Sequence, residues 1–491
     1  MRPASSRPLQ LADMLRQVQI PTPPGLPPMG ITGLTADSRQ VAPGFLFAAL
    51  PGARADGRRF IADAVARGAV AVLAPLGTEW PPGVPPRPMI QDAEPRRALA
   101  RMAAVRAGIQ PEVVAAVTGT NGKTSTVEFL RQIMQATRPS ASLGTLGVIA
   151  PGHDGGSGLT TPDPVALAET LAGLARERVR FAAIEASSHG LDQFRLDGLR
   201  LAAAGFSNLT RDHLDYHRTM AAYRTAKLRL FEALLPRGAP AVASSALDAE
   251  TLAMLRAIAV SRRLALRTVG ENGDAIRLMS ATPHPGGQYL DLEAGGVRRT
   301  LDLPLPGRFQ ADNALLAAGL AMALGEPNAL DRLPGLTGVR GRMELAAVRN
   351  DAAVYVDYAH TPDALERLLA ALRPHTTGRL HVVFGAGGDR DPGKRPLMGA
   401  VVARLADVAI VTDDNPRSED PAVIRAAILA ACPGAREVGD RAAAIAAGLE
   451  ALRPGDVLAI AGKGHEQGQT IAGETLPFDD VATVRRLAGS S

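Results

Sequence analysis

The amino-acid sequence predicts an α/β protein built from several domains, and three observations lead to this prediction. The chain has 491 residues, which corresponds to roughly three domains at ~150 residues per domain. Hydrophobic residues make up 46% of the chain and charged residues 21%, a composition that supplies material for buried cores and is not typical of disorder. Short apolar runs alternate with helical patterns along most of the chain, and this alternation indicates parallel sheets with crossover helices.

The first domain is predicted over residues 1–97 as a small N-terminal α/β domain. Two strand-like runs, FLFAAL (45–50) and AVAVLAPL (69–76), lie on either side of the helical segment IADAVARG. The proline-rich stretch 81–87 is expected to link this domain to the next one, because a helical pattern follows it.

The second domain is predicted over residues 98–337, with a parallel sheet. Its strand-like runs are VVAAVTG, FAAIEASS, AAAGFSNL and PAVASS, and helical stretches lie between or beside them. Alternating residues around a Gly-Gly pair predict a hairpin insertion at 286–306.

The third domain is predicted over residues 338–491 as a Rossmann-like, doubly wound domain. It contains four strand-like runs, and each ends in a polar or glycine-rich loop: AAVYVDYA, LHVVFGAGG, VAIVTDD and DVLAIAGKG. Ligands of open α/β sheets bind at the carboxyl ends of the strands. We therefore expect these four loops to share one rim.

Composition excludes several classes of protein. A single cysteine, Cys432, excludes an intramolecular disulfide framework and any multi-cysteine metal site. The first residues lack the apolar stretch of a signal peptide, and no run of about 18 apolar residues is present to span a bilayer, so we expect a cytoplasmic protein without a membrane partner. The net charge of +5 comes from scattered basic residues and aromatic residues are 3% of the chain, so a nucleic-acid partner is not expected.

Lysine is rare in this chain. Of its 54 basic residues only four are lysines, Lys123, Lys227, Lys394 and Lys463. Arginine is a broad planar cation that stays protonated, whereas lysine is a compact charge that can lose its proton. At least three of the four lysines lie in glycine-rich or chemically suggestive segments, so we expect them where arginine cannot serve.

The clearest motif is Gly119-Thr120-Asn121-Gly122-Lys123-Thr124, between a predicted strand and a predicted helix. In such a phosphate loop (P-loop), backbone N–H groups and a helix N-terminus cradle phosphates, the lysine reaches the β and γ oxygens, and the threonine can hold Mg²⁺. Val117 stands where the general pattern has glycine, but the strand and helix context supports the motif. The central domain is therefore predicted to be a P-loop mononucleotide-binding ATPase domain.

Three further polar residues are candidates for chemistry in this domain. Glu185 ends a strand-like run, where a nucleotide-bound Mg²⁺ commonly finds a carboxylate. His213 lies in an Asp- and His-rich segment, and the residues alone leave open whether it binds metal or only hydrogen-bonds. Lys227 lies in a helical stretch; a lone helical lysine is usually solvated, but its retention in an arginine-rich chain favours a function that needs an amine.

Taken together, the motifs resemble the Mur ligases of bacterial cell-wall synthesis, in particular the branch that adds meso-diaminopimelate. The resemblance extends over nearly the whole chain and rests on the order and spacing of its segments: ADSRQVAPGFLF, ADGRRF, TGTNGKTST, LTTPDP, EASSHGLDQFRL, TRDHLDYH, KLRLF, GRFQADN, GVRGRME, DYAHTPDAL, GAGGDRDPGKRPLMG, TDDNPR and AGKGHE. One stretch departs from the pattern, because Gly52–Ala55 stands where related enzymes often carry a His-Gln pair.

The resemblance implies an ATP-dependent amide-bond-forming ligase of cytoplasmic peptidoglycan precursor synthesis. Its substrates would be ATP, UDP-MurNAc-L-Ala-D-Glu and meso-diaminopimelate, joined at the D-Glu γ-carboxyl through an acyl phosphate. It would act as a monomer on small molecules. The residues leave two alternatives, a lysine-adding Mur ligase and a P-loop ATPase without ligase activity.

The resemblance also implies the residues of the ATP and metal sites. Lys123, Glu185, His213 and Lys227 would be catalytic, with Thr124, Glu185 and His213 as ligands of Mg²⁺. Lys227 would carry N6-carboxylation and orient Mg²⁺ as a carbamate, which requires a neutral amine. ATP would be held by Thr118, Gly119, Thr120, Asn121, Gly122, Lys123, Thr124, Asn313, Arg342 and Asp357.

Two further sets complete the implied site. The UDP-muramoyl dipeptide would be held by Ser38, Thr160, Thr161, Ser187, Gln193 and Arg195. Diaminopimelate would be held by Arg390, Asp414, Asn415, Pro416, Arg417, Gly462 and Glu466. Diaminopimelate is lysine with one additional carboxylate, which Arg417 can meet as a bidentate fork; Glu466 is a natural partner of the distal ammonium.

Overall fold

The computed structural model describes residues 9–52, 55–156, 159–212, 214–284 and 286–489. The chain forms two compact units. Unit 1 contains the chain up to Ala243 together with Leu247–Arg267 and Ala323–Gly325, and unit 2 contains Ser244–Ala246, Thr268–Met322 and the chain from Glu326 onward. The three domain boundaries expected from the sequence stay predictions.

The first part of unit 1 is an α/β layer around a four-stranded parallel sheet, with strand order β3-β4-β5-β6. The elements are β1 (Leu9–Gln10), α1 (Leu11–Gln17), β2 (Gly30–Ile31), β3 (Gly33–Thr35), β4 (Phe45–Ala48), α2 (Ile61–Ala66), β5 (Ala71–Pro75), β6 (Met89–Asp92) and α3 (Pro95–Ala107). The expected role of residues 81–87 as a link between domains was wrong, because they lead into β6, which pairs with β5 in the same sheet.

The rest of unit 1 follows the predicted strand, loop and helix alternation. Its elements are β7 (Val113–Thr118), α4 (Lys123–Gln135), β8 (Ser140–Gly144), β9 (Gly147–Ala150), β10 (His153–Asp154), α5 (Pro164–Arg176), β11 (Phe181–Glu185), α6 (Ser188–Asp192), β12 (Ala203–Phe206), α7 (Leu214–His217), α8 (Met220–Arg229), β13 (Pro240–Ser244) and α9 (Ala249–Arg262). Strands β8, β11, β7, β12 and β13 are parallel neighbours in that order. Their carboxyl ends therefore place the loops after β7, β11 and β12 at one edge.

Unit 2 begins with a meander that the sequence predicted in part. The chain enters it through β14 (Ala265–Gly270) and continues through β15 (Ile276–His284), β16 (Gly287–Ala294), β17 (Val297–Leu303) and α10 (Arg308–Ala323). The predicted hairpin is β16 and β17, which turn through Gly295 and Gly296, both at positive φ. Strand β15 was missed, because its two buried residues, Ile276 and Leu278, are followed by exposed or partly buried residues and no continuous apolar run marks it.

The remainder of unit 2 is the predicted doubly wound domain. Its elements are β18 (Glu344–Arg349), β19 (Ala352–Asp357), α11 (Pro362–Leu372), β20 (Leu380–Phe384), α12 (Lys394–Leu405), β21 (Val408–Val411), α13 (Pro421–Leu429), β22 (Arg436–Glu437), α14 (Arg441–Glu450), β23 (Val457–Ala461), β24 (Gly468–Ile471), β25 (Glu474–Pro477) and α15 (Asp480–Ala488). The sheet order is β18-β19-β23-β20-β21-β22. Strands β19, β23, β20 and β21 are parallel, so their four loops open at one edge.

The cores of both units consist mainly of aliphatic side chains, with some buried aromatic residues, between sheet and helices. Strands β20 and β23 are buried along their whole lengths, as expected for parallel strands covered on both faces. Within the described ranges, no helix combines the length and the apolar character needed to cross a bilayer.

Candidate functional site

The P-loop of unit 1 connects the end of β7 to the start of α4. Gly119 has φ +151°, and a Cβ atom built there would lie 1.9 Å from Ser207 Oγ. Gly122 has φ +81° and precedes the first turn of α4. Both glycines are therefore required by conformation, and at Gly119 also by the close approach of the neighbouring loop.

The loop after β12 fixes the P-loop in place. Asn208 Oδ1 accepts a hydrogen bond from Asn121 N at 2.9 Å, and Asn208 Nδ2 donates to Asn121 O at 3.0 Å. Ser207 Oγ donates to the same carbonyl at 2.7 Å. Thr120 Oγ1 accepts from the backbone N–H of Thr210 and from the hydroxyl of Tyr223. These contacts hold the phosphate-binding backbone in shape.

Two lysines point at the same carbonyl of the P-loop. Lys123 Nζ donates to Gly119 O at 2.9 Å and to Thr120 O at 2.8 Å, and Lys227 Nζ donates to Gly119 O at 2.7 Å. Lys227 is 1% exposed. Burial, reinforced by the charge of Lys123, holds the pKa of the Lys227 amine well below its usual range. This environment favours a neutral amine at Lys227.

Glu185 ends β11, beside the P-loop strand β7 in the sheet. Its carboxylate is buried, and Thr145 N donates to Oε1 at 2.8 Å. A Cβ atom at Gly144 would lie 2.0 Å from Glu185 Oε1, so the absence of a side chain at residue 144 makes room for the carboxylate. The structure thus supplies a buried anionic oxygen donor at the edge where the P-loop opens.

The other expected metal ligands are placed less completely. Thr124 lies in the first turn of α4, half-buried. His213 lies outside the described residues, as do Ala53 and Arg54 of the departing stretch Gly52–Ala55. Among the residues that the structure describes, no three His, Cys, Asp or Glu side chains converge as a preformed metal cage. Mg²⁺ does not need one, because it is usually held by one or two carboxylates together with substrate phosphates and water.

Five of the six residues expected for the UDP-muramoyl dipeptide are joined by hydrogen bonds near Glu185. Thr161 Oγ1 donates to Glu185 O and accepts from Ser187 N. Arg195 donates to Thr161 O at 2.5 Å and to Gln193 Oε1 at 2.8 Å. Thr160 reaches the same group through the hydroxyl of Thr145, 3.0 Å away.

Burial lowers the pKa of the Arg195 guanidinium, and this is the dominant effect on that group. The sixth residue, Ser38, lies in a short turn after β3 and is buried. No hydrogen bond among the described residues joins Ser38 to the other five.

The three nucleotide-contacting residues expected beyond the P-loop all lie in unit 2. Asn313 is buried on α10 and donates to Gln310 Oε1 at 3.2 Å. Asp357 ends β19, and its carboxylate accepts from the backbone N–H groups of Met343 and Ala359, each at 2.8 Å. The guanidinium of Arg342 lies 5.0 Å from the ring centre of Tyr358. Burial raises the pKa of the Asp357 carboxyl, against the lowering effect of Arg342.

An open cavity of about 380 Å³ lies at the edge of unit 2 where the four parallel strands end. All four predicted loops contribute to it, which confirms that they share one rim. Six of the seven residues expected for diaminopimelate line it: Arg390, Asp414, Asn415, Arg417, Gly462 and Glu466. Pro416 does not line it, but its carbonyl oxygen would lie 1.9 Å from a Cβ atom at Gly388, so it packs against the neighbouring loop.

The segment Asp414–Arg417 is held by the hairpin of β24 and β25. Arg417 has φ +54°, a conformation that non-glycine residues seldom adopt. Its backbone N–H donates to Thr470 O at 3.0 Å, and its carbonyl accepts from Ala472 N at 2.6 Å. Arg417 Nη1 donates to Gly388 O at 2.6 Å, so the guanidinium lies against the loop after β20.

The comparisons with known proteins agree with this geometry. The Mur ligase middle domain matches residues 117–321, the Mur ligase glutamate ligase domain matches 341–464, and the Mur ligase family catalytic domain matches 30–138. The UDP-N-acetylmuramoyl-L-alanyl-D-glutamate--2,6-diaminopimelate ligase of Caulobacter vibrioides is 56% identical over 94% of this chain and 96% of its own length. The ligase of the same name from Rhizobium meliloti is 53% identical over 94% of each chain. This chain belongs to the Mur ligase family.

Solved structures give the same family. A structure of a UDP-N-acetylmuramoyl-L-alanyl-D-glutamate--2,6-diaminopimelate ligase, 32% identical, covers 99% of each chain with a TM-score of 0.75. The MurF ligase of Thermotoga maritima, solved in complex with ADP, is 19% identical over 93% of this chain and 96% of its own, with a TM-score of 0.59. At that identity the likeness shows the three-domain Mur ligase fold alone.

Sequence reasoning missed several residues at the two sites of this Mur ligase. Ser207 and Asn208 fix the P-loop, but on the sequence they read as the end of an apolar run. Tyr358, His360 and Lys394 line the cavity of unit 2 without having been assigned to it. Their position directly after strands or at a helix start was the available signal, since the loops that follow the four strand-like runs of this domain were expected to share one rim.

Proposed function

We propose that this chain is an ATP-dependent ligase that joins meso-diaminopimelate to the D-Glu γ-carboxyl of UDP-MurNAc-L-Ala-D-Glu, in cytoplasmic peptidoglycan precursor synthesis. The observation that best supports this proposal is the cavity of unit 2, which is lined by side chains of both charges, among them Arg417, Arg390 and Glu466. A diaminopimelate molecule presents a carboxylate and an ammonium at each end, so it requires both cationic and anionic partners. Support also comes from the P-loop of unit 1, which provides for ATP.

The reaction consumes one ATP. A γ-carboxylate oxygen of the substrate attacks the γ-phosphorus of ATP, the bond to ADP breaks, and an acyl phosphate forms. The amine of diaminopimelate then attacks the carbonyl carbon, the new C–N bond forms, inorganic phosphate leaves, and the amine loses a proton. Since a carboxylate and a triphosphate repel each other, the main requirements are charge neutralisation and positioning. The backbone N–H groups of the P-loop and Lys123 would supply them on the phosphate side.

Mg²⁺ is assigned to Thr124, Glu185 and His213. The buried carboxylate of Glu185 supports this assignment, because hard oxygen donors are the ligands that Mg²⁺ prefers. When bound, Mg²⁺ would neutralise charge on the phosphate oxygens. Thr118, Asn313, Arg342 and Asp357 complete the set proposed for ATP.

Lys227 is proposed to carry N6-carboxylation. The neutral amine attacks the carbon of CO₂, a C–N bond forms, and one proton is released. Burial and the lowered pKa of Lys227 support this step. Incubation with ¹³C-bicarbonate should give a carbamate resonance in the ¹³C NMR spectrum, and a Lys227→Arg variant is the matched control. A spectrum identical to that of the control would show that Lys227 does not form a carbamate.

The UDP-muramoyl dipeptide is assigned to Thr160, Thr161, Ser187, Gln193 and Arg195, with Ser38 on the nucleotide. The hydrogen bonds that join the first five support a single binding surface. We further propose that the ligase is a monomer. Sedimentation velocity of the purified chain would test this, and a dimer mass would overturn it.

The test of the proposed function is phosphate release by the purified chain with ATP, Mg²⁺ and UDP-MurNAc-L-Ala-D-Glu. Meso-diaminopimelate and L-lysine are compared as the third substrate, and a Lys123→Ala variant gives the background. Release with diaminopimelate and a tripeptide of matching mass is expected. Release with lysine alone would indicate a lysine-adding ligase, and turnover indifferent to both amino acids would indicate a P-loop ATPase.

A further inference from the structure

Lys463 is one of the four lysines of the chain, and the proposed function gives it no role. It follows β23 and its side chain is completely buried, with 0% exposure. A buried cation is unfavourable unless polar groups surround it. Its contacts therefore indicate what the residue does.

Three polar side chains approach the Lys463 ammonium to within 4.0 Å, and all three belong to the set proposed for diaminopimelate. Nζ donates to Asn415 Oδ1 at 3.0 Å and to Glu466 Oε2 at 3.3 Å, and it lies 4.0 Å from Asp414 Oδ1. These three partners line the cavity, whereas Lys463 does not. Lys463 thus lies behind the cavity wall and contacts the residues that form it.

Lys463 helps to fix the orientation of the Asn415 amide. Asn415 Oδ1 accepts from Lys463 Nζ and from Thr470 N, the latter at 2.9 Å. With two donors on the oxygen, the amide nitrogen must point the other way, and Nδ2 donates to Glu466 Oε2 at 2.9 Å. These three hydrogen bonds therefore fix which way the Asn415 side-chain amide points, with its oxygen toward Lys463 and its nitrogen toward Glu466.

The same two groups hold one oxygen of Glu466. Oε2 receives hydrogen bonds from Lys463 Nζ and Asn415 Nδ2. The Glu466 side chain is 35% exposed and lines the cavity, so it is accessible from the cavity while its Oε2 is anchored. This arrangement leaves Oε1 to accept from an ammonium in the cavity.

We propose that Lys463 is a positioning residue that orients Glu466 for the distal ammonium of the incoming amino acid, without touching that amino acid. The inference rests on the proposed function and adds a determinant of amino-acid affinity to it. Lysine suits this fully buried position because its charge is compact, whereas arginine carries a broad planar fork. This accounts for a retained lysine in a chain with 50 arginines.

The first test compares Lys463→Met with the unchanged chain in the phosphate-release assay. We expect the KM for meso-diaminopimelate to rise about 10- to 100-fold, the range for loss of one charge-assisted hydrogen bond. The KM values for ATP and for the UDP-muramoyl dipeptide should stay the same. Arg404→Met removes an exposed cation of α12 that pairs with Glu366, and it is the matched control.

The second test separates positioning from a general structural role. In a Glu466→Gln background, Lys463→Met should raise the KM for diaminopimelate much less than it does alone. Each substitution already disrupts the same interaction, in which Lys463 orients the Glu466 carboxylate. Fully additive effects, or equal increases in all three KM values, would overturn the proposal. If Lys463→Met does not fold, as judged by its thermal unfolding, Lys463→Gln, which has a shorter and uncharged polar side chain, is tested in the same way and with the same expected rise in the KM for diaminopimelate.

The two proposals fail differently. If the unchanged chain shows no release that depends on diaminopimelate, the proposed function is wrong. If the unchanged chain is active and Lys463→Met keeps its KM for diaminopimelate, the function stands and the role of Lys463 is wrong.

Discussion

The two strand-end sites of this ligase have the same architecture but different chemistry. In unit 1 the loop after β7 presents backbone groups, and the buried Lys227 faces the carbonyl of Gly119 and the ring of Tyr223, 4.5 Å away. In unit 2 the loops present charged side chains, and the buried Lys463 faces Asn415 and Glu466. A parallel sheet therefore supplies an edge, and the loop residues decide which ligand that edge can hold.

The two buried lysines show how neighbours determine the role of one residue type. Burial of Lys227 and the charge of the neighbouring cation Lys123 outweigh the opposing charge of Asp212, so the pKa of Lys227 falls. This suits an amine that reacts with CO₂. Lys463 has a carboxylate and an amide oxygen within hydrogen-bonding distance, which suits a fixed structural charge. Exchange of either lysine for arginine would keep a cation but lose the feature that each site uses.

Gly119→Ala should cause the largest loss of activity among these variants, and the loss should arise at the nucleotide site. A Cβ atom 1.9 Å from Ser207 Oγ must displace the P-loop, and a shift of ~1 Å can lower the rate on the order of 100-fold. The kcat/KM for ATP is the quantity to measure. Gly238→Ala is the matched control, because Gly238 has φ +78° and open space around a Cβ. Equal losses in the two variants would attribute the effect to backbone conformation and not to the loop contact.

Arg417→Ala should affect the amino-acid site alone. Loss of charged hydrogen bonds to a carboxylate costs about 1.5–3 kcal/mol each, so the KM for diaminopimelate should rise ~10- to 100-fold. Binding of ATP, measured by calorimetry, should not change, because Arg417 is not among the residues proposed to hold ATP. Unchanged kinetics with diaminopimelate would show that Arg417 does not bind this substrate.

Tyr223→Phe should give a smaller effect at the nucleotide site. The Tyr223 hydroxyl donates to Thr120 Oγ1 at 3.1 Å, and Thr120 keeps its contacts with Thr210. Loss of one neutral hydrogen bond costs about 1 kcal/mol, so the KM for ATP should rise ~5-fold. Tyr289→Phe, at an exposed tyrosine of β16, should leave it unchanged. A rise of the same size in the KM for diaminopimelate would show that the two sites are not independent.

Acid should weaken unit 2 through His375. Nε2 accepts from Gly307 N at 2.9 Å and Nδ1 donates to His284 O at 2.8 Å, and burial holds the pKa of His375 below its ordinary value of 6.5. Because the unfolded chain takes up the proton first, this contribution to stability is complete above pH 6.5 and is lost as the pH falls toward the folded pKa.

Urea unfolding at a series of pH values measures this contribution. The free energy of unfolding should decrease below pH 6.5, and His375→Gln should reduce that decrease. Identical pH profiles for the two proteins would exclude His375 as the cause.

The parallel strands β3, β6, β8 and β14 had no counterpart among the predicted strand-like runs, whereas elements with strong periodic signals were predicted. Helix α11 is an example, with Thr361 as N-cap and Pro362 at its first position. The strand β15 and the hairpin of β24 and β25 were not predicted, because most of their residues are exposed or only partly buried and they contain no continuous apolar run. The hairpin nevertheless contacts the backbone of Arg417 in its unusual conformation, so a part of the site proposed for diaminopimelate had no sequence signal.

The sequence by itself determined the fold class, the P-loop and the order of the loops that end the strands. These features depend on local spacing, which the chain carries in its residue order. Only the tertiary structure decided that Asn208 fixes the P-loop, that Gly144 makes room for Glu185 and that Lys463 anchors Glu466. Asn208 and Gly144 act on groups more than 40 residues away in sequence, and the orientation of Glu466 depends on Asn415, 51 residues away. Such contacts exist only when packing brings distant segments within hydrogen-bonding distance.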